Sequence, residues 1–374
     1  MTLSTTLIHL ALLAPILPGP QLDDVEDLSL VLEPLVAEHD VPALGCALMY
    51  EGRLIAHGAF GVRKRGAPET VTVDDAWHLG SCTKAITATL IARLVERGEL
   101  AFERTLAESF PELEIHADLR TVSLEDLLCH RAGLMQNPTA GSLWQRLQTH
   151  PGPATEARAL VVQEVLPLAP DLAPRTRTAY SNTGYVVAGA LAERTTGRSW
   201  EELVAREVFA PLGVEGAGFG PPGVPGELTQ PRGHLAAGLA FEPDQPLADN
   251  PPALGPAGTI HASLADWARL VGVHAFEGGE GESVFLSRDT LSALHRPRDD
   301  EGTYALGWAV AEREWGGGTV LTHAGSNGRW FCVAWVAPRA GIVLLATCNQ
   351  GGPRAQAACD EACVELLQYL EEVR

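Results

Sequence analysis

A helix that is apolar on nearly every side has to lie inside its protein, and the stretch from Ser81 to about Arg97 reads as one. Ile86, Leu90, Ile91, Leu94 and Val95 form a broad apolar face, Ala85, Ala88 and Ala92 fill much of the rest, and Gly98 ends it. A chain carrying such a helix must surround it with other layers, and 374 residues suffice, as one large domain or two subdomains. The helix opens on Trp77-His78-Leu79-Gly80-Ser81-Cys82-Thr83-Lys84. Ser81 and Lys84 therefore share a face, one turn apart, and the amine can reach the hydroxyl. Burial disfavours a charged ammonium and lowers its pKa.

Lysine is rare here. Of 27 Lys plus Arg, only Lys64 and Lys84 are Lys. Arg cannot lose its proton, whereas a buried Lys can act as a base. Taken alone, S-x-x-K is a short motif, and a Ser capping a helix beside a solvated Lys is the plainer account. Other residues have to decide between the two.

On either side of this helix the periodicity changes. Asp23 to His39 has helical spacing; Gly45 to Tyr50 and Arg53 to Phe60 flank Glu51-Gly52 as a hairpin. Leu124 to His130, Glu156 to Leu166, Thr183 to Arg194, Trp200 to Phe209 and Ala262 to His274 read as helices, the last with Ser263 and Asp266 in a capping-box pattern. Pro221 to Pro256 reads as a long ordered loop. Leu306 to Glu312, Gly318 to His323, Trp330 to Val336 and Gly341 to Cys348 form an antiparallel meander, and Arg354 to Val373 a closing amphipathic helix. The expectation is an α/β (α+β) fold: an antiparallel sheet of about five or more strands flanked by helices, drawn from both chain ends, with an inserted helical subdomain. Its body spans about 23–80 and 255–374, and the helical part about 81–254.

The net charge of −20 argues against a nucleic-acid partner, since no basic stripe exists to neutralise phosphates. Seven scattered cysteines are not a disulfide framework; Cys359 and Cys363, four apart on the last helix, read as packing. No H-E-x-x-H or G-x-S-x-G occurs, so zinc hydrolysis and a Ser-His-Asp elbow lack support. No metal or cofactor is expected. Leu7 to Pro18 is an apolar run that makes residues 1–22 a signal peptide or a tail, exported in the first case and cytoplasmic in the second. No later run is long enough for a membrane span. The sequence leaves the oligomeric state open.

A serine nucleophile needs a base, a group to hold that base, and donors for the oxyanion. Tyr180-Ser181-Asn182 stands at the start of a helix, and His323-Ala324-Gly325 ends a strand before Ser326-Asn327-Gly328 turns the chain. Separately they read as a helix cap and a hairpin, and His78, His130 and His261 as structural. In order, however, Ser81-x-x-Lys84, Tyr180-x-Asn182 and His323-x-Gly325 resemble the serine β-lactamase and penicillin-binding-protein-like superfamily. The likeness is greatest to the class C β-lactamase branch with its esterases and D-aminopeptidases. Leu127 to Leu134 is similar to the "LLxHxSGL" turn of that family, and Gly255-Pro256-Ala257-Gly258 to its glycine segment; the resemblance covers roughly residues 24–370.

The resemblance implies the β-lactamase/transpeptidase-like fold over residues 23–374 and a single site. Ser81 would be acylated, Lys84 and Tyr180 would move the proton, and either could be the acylation base. Asn182 would orient Lys84 and a substrate amide. The backbone N–H groups of Ser81 and Ser326 would form the oxyanion hole, and His323 and Gly325 would line the substrate. One departure bears on substrate: β-lactamases and D,D-peptidases of the family usually have Lys-Thr-Gly where this chain has His323-Ala324-Gly325, and a His is a weaker cation for a substrate carboxylate. Small-molecule or peptide-like esters or amides are therefore the favoured substrates. A class C-type β-lactamase or D,D-carboxypeptidase/D-aminopeptidase is the alternative, and a non-catalytic penicillin-binding-like sensor or scaffold the third.

Overall fold

The computed structural model describes residues 25–275, 285–299 and 301–374. Residues 1–22, the expected signal peptide or tail, lie outside the described residues. Seven strands form the main sheet: β1 (Glu26–Asp27), β2 (Ala43–Tyr50), β3 (Arg53–Gly61), β7 (Ala309–Arg313), β8 (Gly318–Ser326), β9 (Phe331–Ala337) and β10 (Ile342–Cys348). Their order is β1-β3-β2-β10-β9-β8-β7. Three short strands, β4 (Trp77–His78), β5 (Gly218–Phe219) and β6 (Ile260–Ala262), make a second sheet in the order β4-β6-β5.

The two ends of the chain meet in the middle of the large sheet, where β2 pairs with β10 in antiparallel register, Ile342 against Tyr50 and Cys348 against Leu44. The β2–β3 hairpin turns through Glu51 and Gly52, both with positive φ (47° and 80°), the twist that a two-residue hairpin loop needs. Side chains alternate across the sheet, and the hydrophobic core divides accordingly. Leu44, Cys46, Leu48, Ile342, Leu344 and Ala346 pack with the helices Leu32–Glu38 and Pro353–Val373. Ala47, Met49, Val343 and Leu345 face the other way, toward Thr83–Glu96 and Leu264–Gly272.

Thr83–Glu96 is the interior helix the sequence predicts: every residue from Cys82 to Ala92 is buried. Its start differs. Ser81 sits in a tight 3-10 turn, Gly80–Cys82, ahead of the α-helix. The first helix also starts later than its periodicity suggests, at Leu32, because Glu26–Asp27 is captured as a short edge strand parallel to β3. The sheet is therefore antiparallel except at that edge. Helices Leu143–Gln148 and Arg288–His295 and strand β4 carry no clear sequence signal. Leu306 to Trp308 precede the strand instead of forming it; β7 runs from Ala309 to Arg313. All seven cysteines are buried and free. Among the described residues no helix is long and apolar enough to cross a membrane.

The helices around Thr83–Glu96 are tied by one buried cation. Arg158, on Ala154–Val165, is fully buried and donates to Glu193 Oε1 (2.6 Å) and Glu201 Oε2 (2.7 Å), carboxylates from Asn182–Thr196 and Trp200–Val204, and to Pro252 O (3.2 Å). Removing one partner of a buried ion pair leaves the others desolvated without compensation. Arg158→Ala is expected to destabilise the fold by about 3–5 kcal/mol, read from denaturant melts; a loss under about 1 kcal/mol would show that water replaces the guanidinium.

Candidate active site

Ser81 is placed by a collision-close approach of two backbones. Gly80 has φ +47°, and a Cβ on it would lie 2.5 Å from Ser326 N; a Cβ on Gly325 would lie 2.1 Å from Leu79 O and 2.9 Å from Ser81 N. Only glycine fits at either position. The turn bearing Ser81 thus lies against the end of β8, with the Ser81 and Ser326 nitrogens at the contact. Two thiols secure it: Cys82 Sγ donates to His323 O (3.1 Å) and Cys332 Sγ to Leu79 O (3.0 Å).

Lys84 is on the first turn of Thr83–Glu96 and is fully buried. Its Nζ lies 3.2 Å from Ser81 Oγ, 2.7 Å from Asn182 Oδ1 and 2.6 Å from Ala257 O. Burial holds the amine well below its ordinary pKa. Ser81 Oγ is also 2.6 Å from Tyr180 OH, and Lys84 Nζ lies 4.8 Å from the Tyr180 ring centroid. Tyr180 keeps 37% of its surface open, yet desolvation of the phenol end pushes its pKa up to about 12.

Backbone clamps hold Tyr180 from both sides. Ala179 N donates to His130 O (2.8 Å), Ser181 N to His130 Nδ1 (3.1 Å) and Asn182 N to Gln136 O (2.7 Å). Ser181 caps the following helix: its Oγ accepts from Gly184 N at 3.0 Å and donates to Met135 O at 2.8 Å. His130, with φ +60°, packs its buried ring on Tyr180 (4.5 Å between centroids) and Tyr304 (4.7 Å). Burial depresses the His130 pKa strongly, in keeping with a nitrogen that accepts a backbone N–H.

Of the residues singled out in the sequence, Ser81, Lys84, Tyr180 and Asn182 form one hydrogen-bonded cluster. Gly325 and Ser326 lie against its turn. His323 stands apart from Ser81: Nδ1 faces Ala324 O (2.7 Å), Nε2 meets Tyr304 OH (3.0 Å), and its ring centroid is 6.5 Å from that of Tyr180. Three contributors escape sequence reasoning as individuals. Asn137 Oδ1 accepts from Asn182 Nδ2 at 2.7 Å, Tyr304 meets His323, and the Ala257 carbonyl accepts from Lys84. Only Ala257 had a signal, as part of the Gly255–Gly258 segment. His78 and His261 are buried or nearly so; His261 Nδ1 meets Gly220 O at 2.8 Å, and burial lowers its pKa. Among the described residues, no cluster of His, Cys, Asp and Glu could hold a metal ion. A hydroxyl between an amine and a phenol, beside two close backbone nitrogens, is an arrangement suited to nucleophilic attack on a carbonyl.

The chain is 30% identical over 332 residues to Penicillin-binding protein 4 of Amycolatopsis lactamdurans, covering 85% of this chain and 83% of the relative. It is 26% identical over 357 residues to the Esterase/beta-lactamase LipL of Mycobacterium tuberculosis, covering 81% and 79% of the two chains. The crystal structure of a Beta-Lactamase/D-Alanine Carboxypeptidase from Pseudomonas syringae shares the fold, with a TM-score of 0.71 at 17% identity over 90% of this chain and 99% of that one. The family profile described as Beta-lactamase matches residues 28–367, nearly the whole described chain, and the protein belongs to that family.

Proposed function

We propose that this protein is a serine hydrolase that cleaves a small ester or amide through an acyl-enzyme on Ser81, with Lys84 as the acylation base. The supporting observation is the full burial of Lys84 with no carboxylate among the hydrogen-bond partners of its Nζ. A neutral amine has two hydrogens and one lone pair. Asn182 Oδ1 and Ala257 O accept two N–H bonds, which leaves the lone pair for the Ser81 hydroxyl. Burial favours this neutral form. Tyr180, with its pKa near 12, keeps its proton at neutral pH and donates it toward Ser81 Oγ.

In acylation the bond from Ser81 Oγ to the carbonyl carbon forms as the hydroxyl proton passes to Lys84. The carbonyl oxygen gathers charge between the Ser81 and Ser326 N–H groups, the hole that would stabilise it. Tyr180 protonates the leaving oxygen or nitrogen as that bond breaks, and the Lys84 ammonium restores the Tyr180 proton. In deacylation a water attacks the acyl carbon, its proton passes to the Lys84–Tyr180 pair, and Ser81 leaves as the hydroxyl. Asn182 keeps Lys84 in register, itself steadied by Asn137.

His323 supports the preference for esters and amides without a carboxylate anchor. Both its nitrogens are engaged within the protein, so the position where the family usually has Lys offers no free ammonium to the cleft. The second reading, a β-lactamase or D,D-carboxypeptidase, draws on the relatives named above. A short-chain p-nitrophenyl ester panel beside nitrocefin and a D-Ala-D-Ala peptide separates the two, with turnover expected for the esters. A stoichiometric burst without turnover would instead make the chain a penicillin-binding-like sensor.

A fluorophosphonate should add one adduct at Ser81 by intact mass and none to Ser81→Ala. Lys84→Ala and Lys84→Arg should each lower kcat by at least about 10³-fold, since both remove a base able to take a proton; near-normal turnover in both would end the role given to Lys84.

The pH profile follows from the same groups. The base must be deprotonated, so kcat/KM should fall as pH drops through the depressed pKa of Lys84, well below the ordinary amine value. It should decline again only toward pH 12, as Tyr180 loses its proton. An acid limb at the ordinary amine value of 10.5 would contradict a buried neutral Lys84.

A further inference from the structure

We infer that Asp249 is a positioning residue for the oxyanion hole, joining its two walls through His78 and Asn327. This rests on the reading of the Ser81 and Ser326 N–H groups as that hole. Asp249 lies in the Pro- and Gly-rich loop, and its side chain is 7% exposed. One oxygen, Oδ2, is 2.9 Å from Nε2 of the fully buried His78. The other ring nitrogen of His78, Nδ1, accepts the Gly80 N–H at 3.1 Å, so the ring hydrogen belongs on Nε2 and is donated to the carboxylate. The second oxygen, Oδ1, accepts from Asn327 Nδ2 (2.8 Å) and from Asn250 N (2.7 Å).

Gly80 immediately precedes Ser81, and Asn327 immediately follows Ser326. One carboxylate therefore reaches the Gly80 N–H through His78 with one oxygen and the hairpin after β8 with the other. The two walls belong to segments more than two hundred residues apart, and the hole works only if their N–H groups converge on one point. The contact reaches the base as well: Asn250 Nδ2 donates to Gly258 O at 3.0 Å, next to the Ala257 carbonyl that holds Lys84.

The chemistry of the link explains why an acid stands here. Every group facing Asp249 is a donor, and an ionised carboxylate accepts on both oxygens. Asparagine has the same shape but turns one acceptor into an NH₂, which would confront either His78 Nε2–H or Asn327 NH₂. Asp249→Asn therefore loosens one wall without opening a cavity.

The test compares wild type, Asp249→Asn and Ser81→Ala on p-nitrophenyl butyrate, with phenylboronic acid as the probe of the hole. Phenylboronic acid bonds to a serine oxygen and places an anionic boron hydroxyl where the oxyanion would lie. Asp249→Asn should lower kcat by about 10- to 100-fold, as expected for hole donors displaced but still present. KM should change by less than about threefold, because the lost interaction belongs to the transition state. Ki for phenylboronic acid should rise in step with the loss in kcat. Unchanged kcat and Ki in Asp249→Asn, with wild-type binding dependent on Ser81, would overturn the role of Asp249 alone; so would a loss carried by KM. Wild-type binding no tighter than that of Ser81→Ala would overturn the hole itself, and this inference with it. Should Asp249→Asn fold poorly, Asn327→Asp keeps the oxygen that accepts from Arg329 N but sets a carboxylate against Asp249 in place of the donated N–H, and should move kcat and Ki in the same direction; no change in either would overturn the proposal.

Discussion

The Lys84 amine, buried with three polar neighbours, is the point on which this structure turns. An ammonium buried there would carry a desolvation cost with no carboxylate hydrogen-bonded to it. A neutral amine avoids that cost and suits the acceptors present. The acceptors come from distant parts of the chain, Asn182 at the start of one helix and Ala257 within the short Gly255–Gly258 turn. Packing an apolar helix at the centre of the fold thus does two things together. It buries the amine, which sets its protonation, and it brings in the segments that hold it. The link from hydrophobic burial to chemistry passes through one side chain.

The parts of this arrangement that depend on composition and period are legible in the sequence. Thr83–Glu96 is apolar on nearly every side, and β2 and β10 are almost continuous apolar runs, as suits strands covered on both faces. The scarcity of Lys drew attention to Lys84, and the order of three motifs supplied its partners. What escaped depends on tertiary pairing. Glu26–Asp27 has helical spacing with its neighbours but is taken by the edge of β3, since pairing overrides weak local preference. A backbone carbonyl such as that of Ala257 has no residue-type signature. Asn137 and Tyr304 are single polar residues whose meaning comes only from what they touch, and Ser81 lies on a 3-10 turn because Gly80 must approach Ser326 more closely than an α-helical start would allow.

The His323-Ala324-Gly325 triplet holds two positions under very different constraints. Gly325 packs against the Ser81 turn so closely that any side chain would push Leu79 and Ser81 away. Its identity is dictated by the backbone contact and has no freedom. Two residues earlier on β8, His323 projects to the same face, yet its hydrogen bonds go to Tyr304 and to a carbonyl on its own strand and not to Ser81, Lys84 or Tyr180. A change of residue type there leaves the contacts of Ser81 with Lys84 and Tyr180 intact. A different side chain at position 323 therefore leaves the hydrogen bonds among Ser81, Lys84 and Tyr180 in place, whereas Gly325 could not give way even to Ala without pushing the Ser81 turn away from the end of β8.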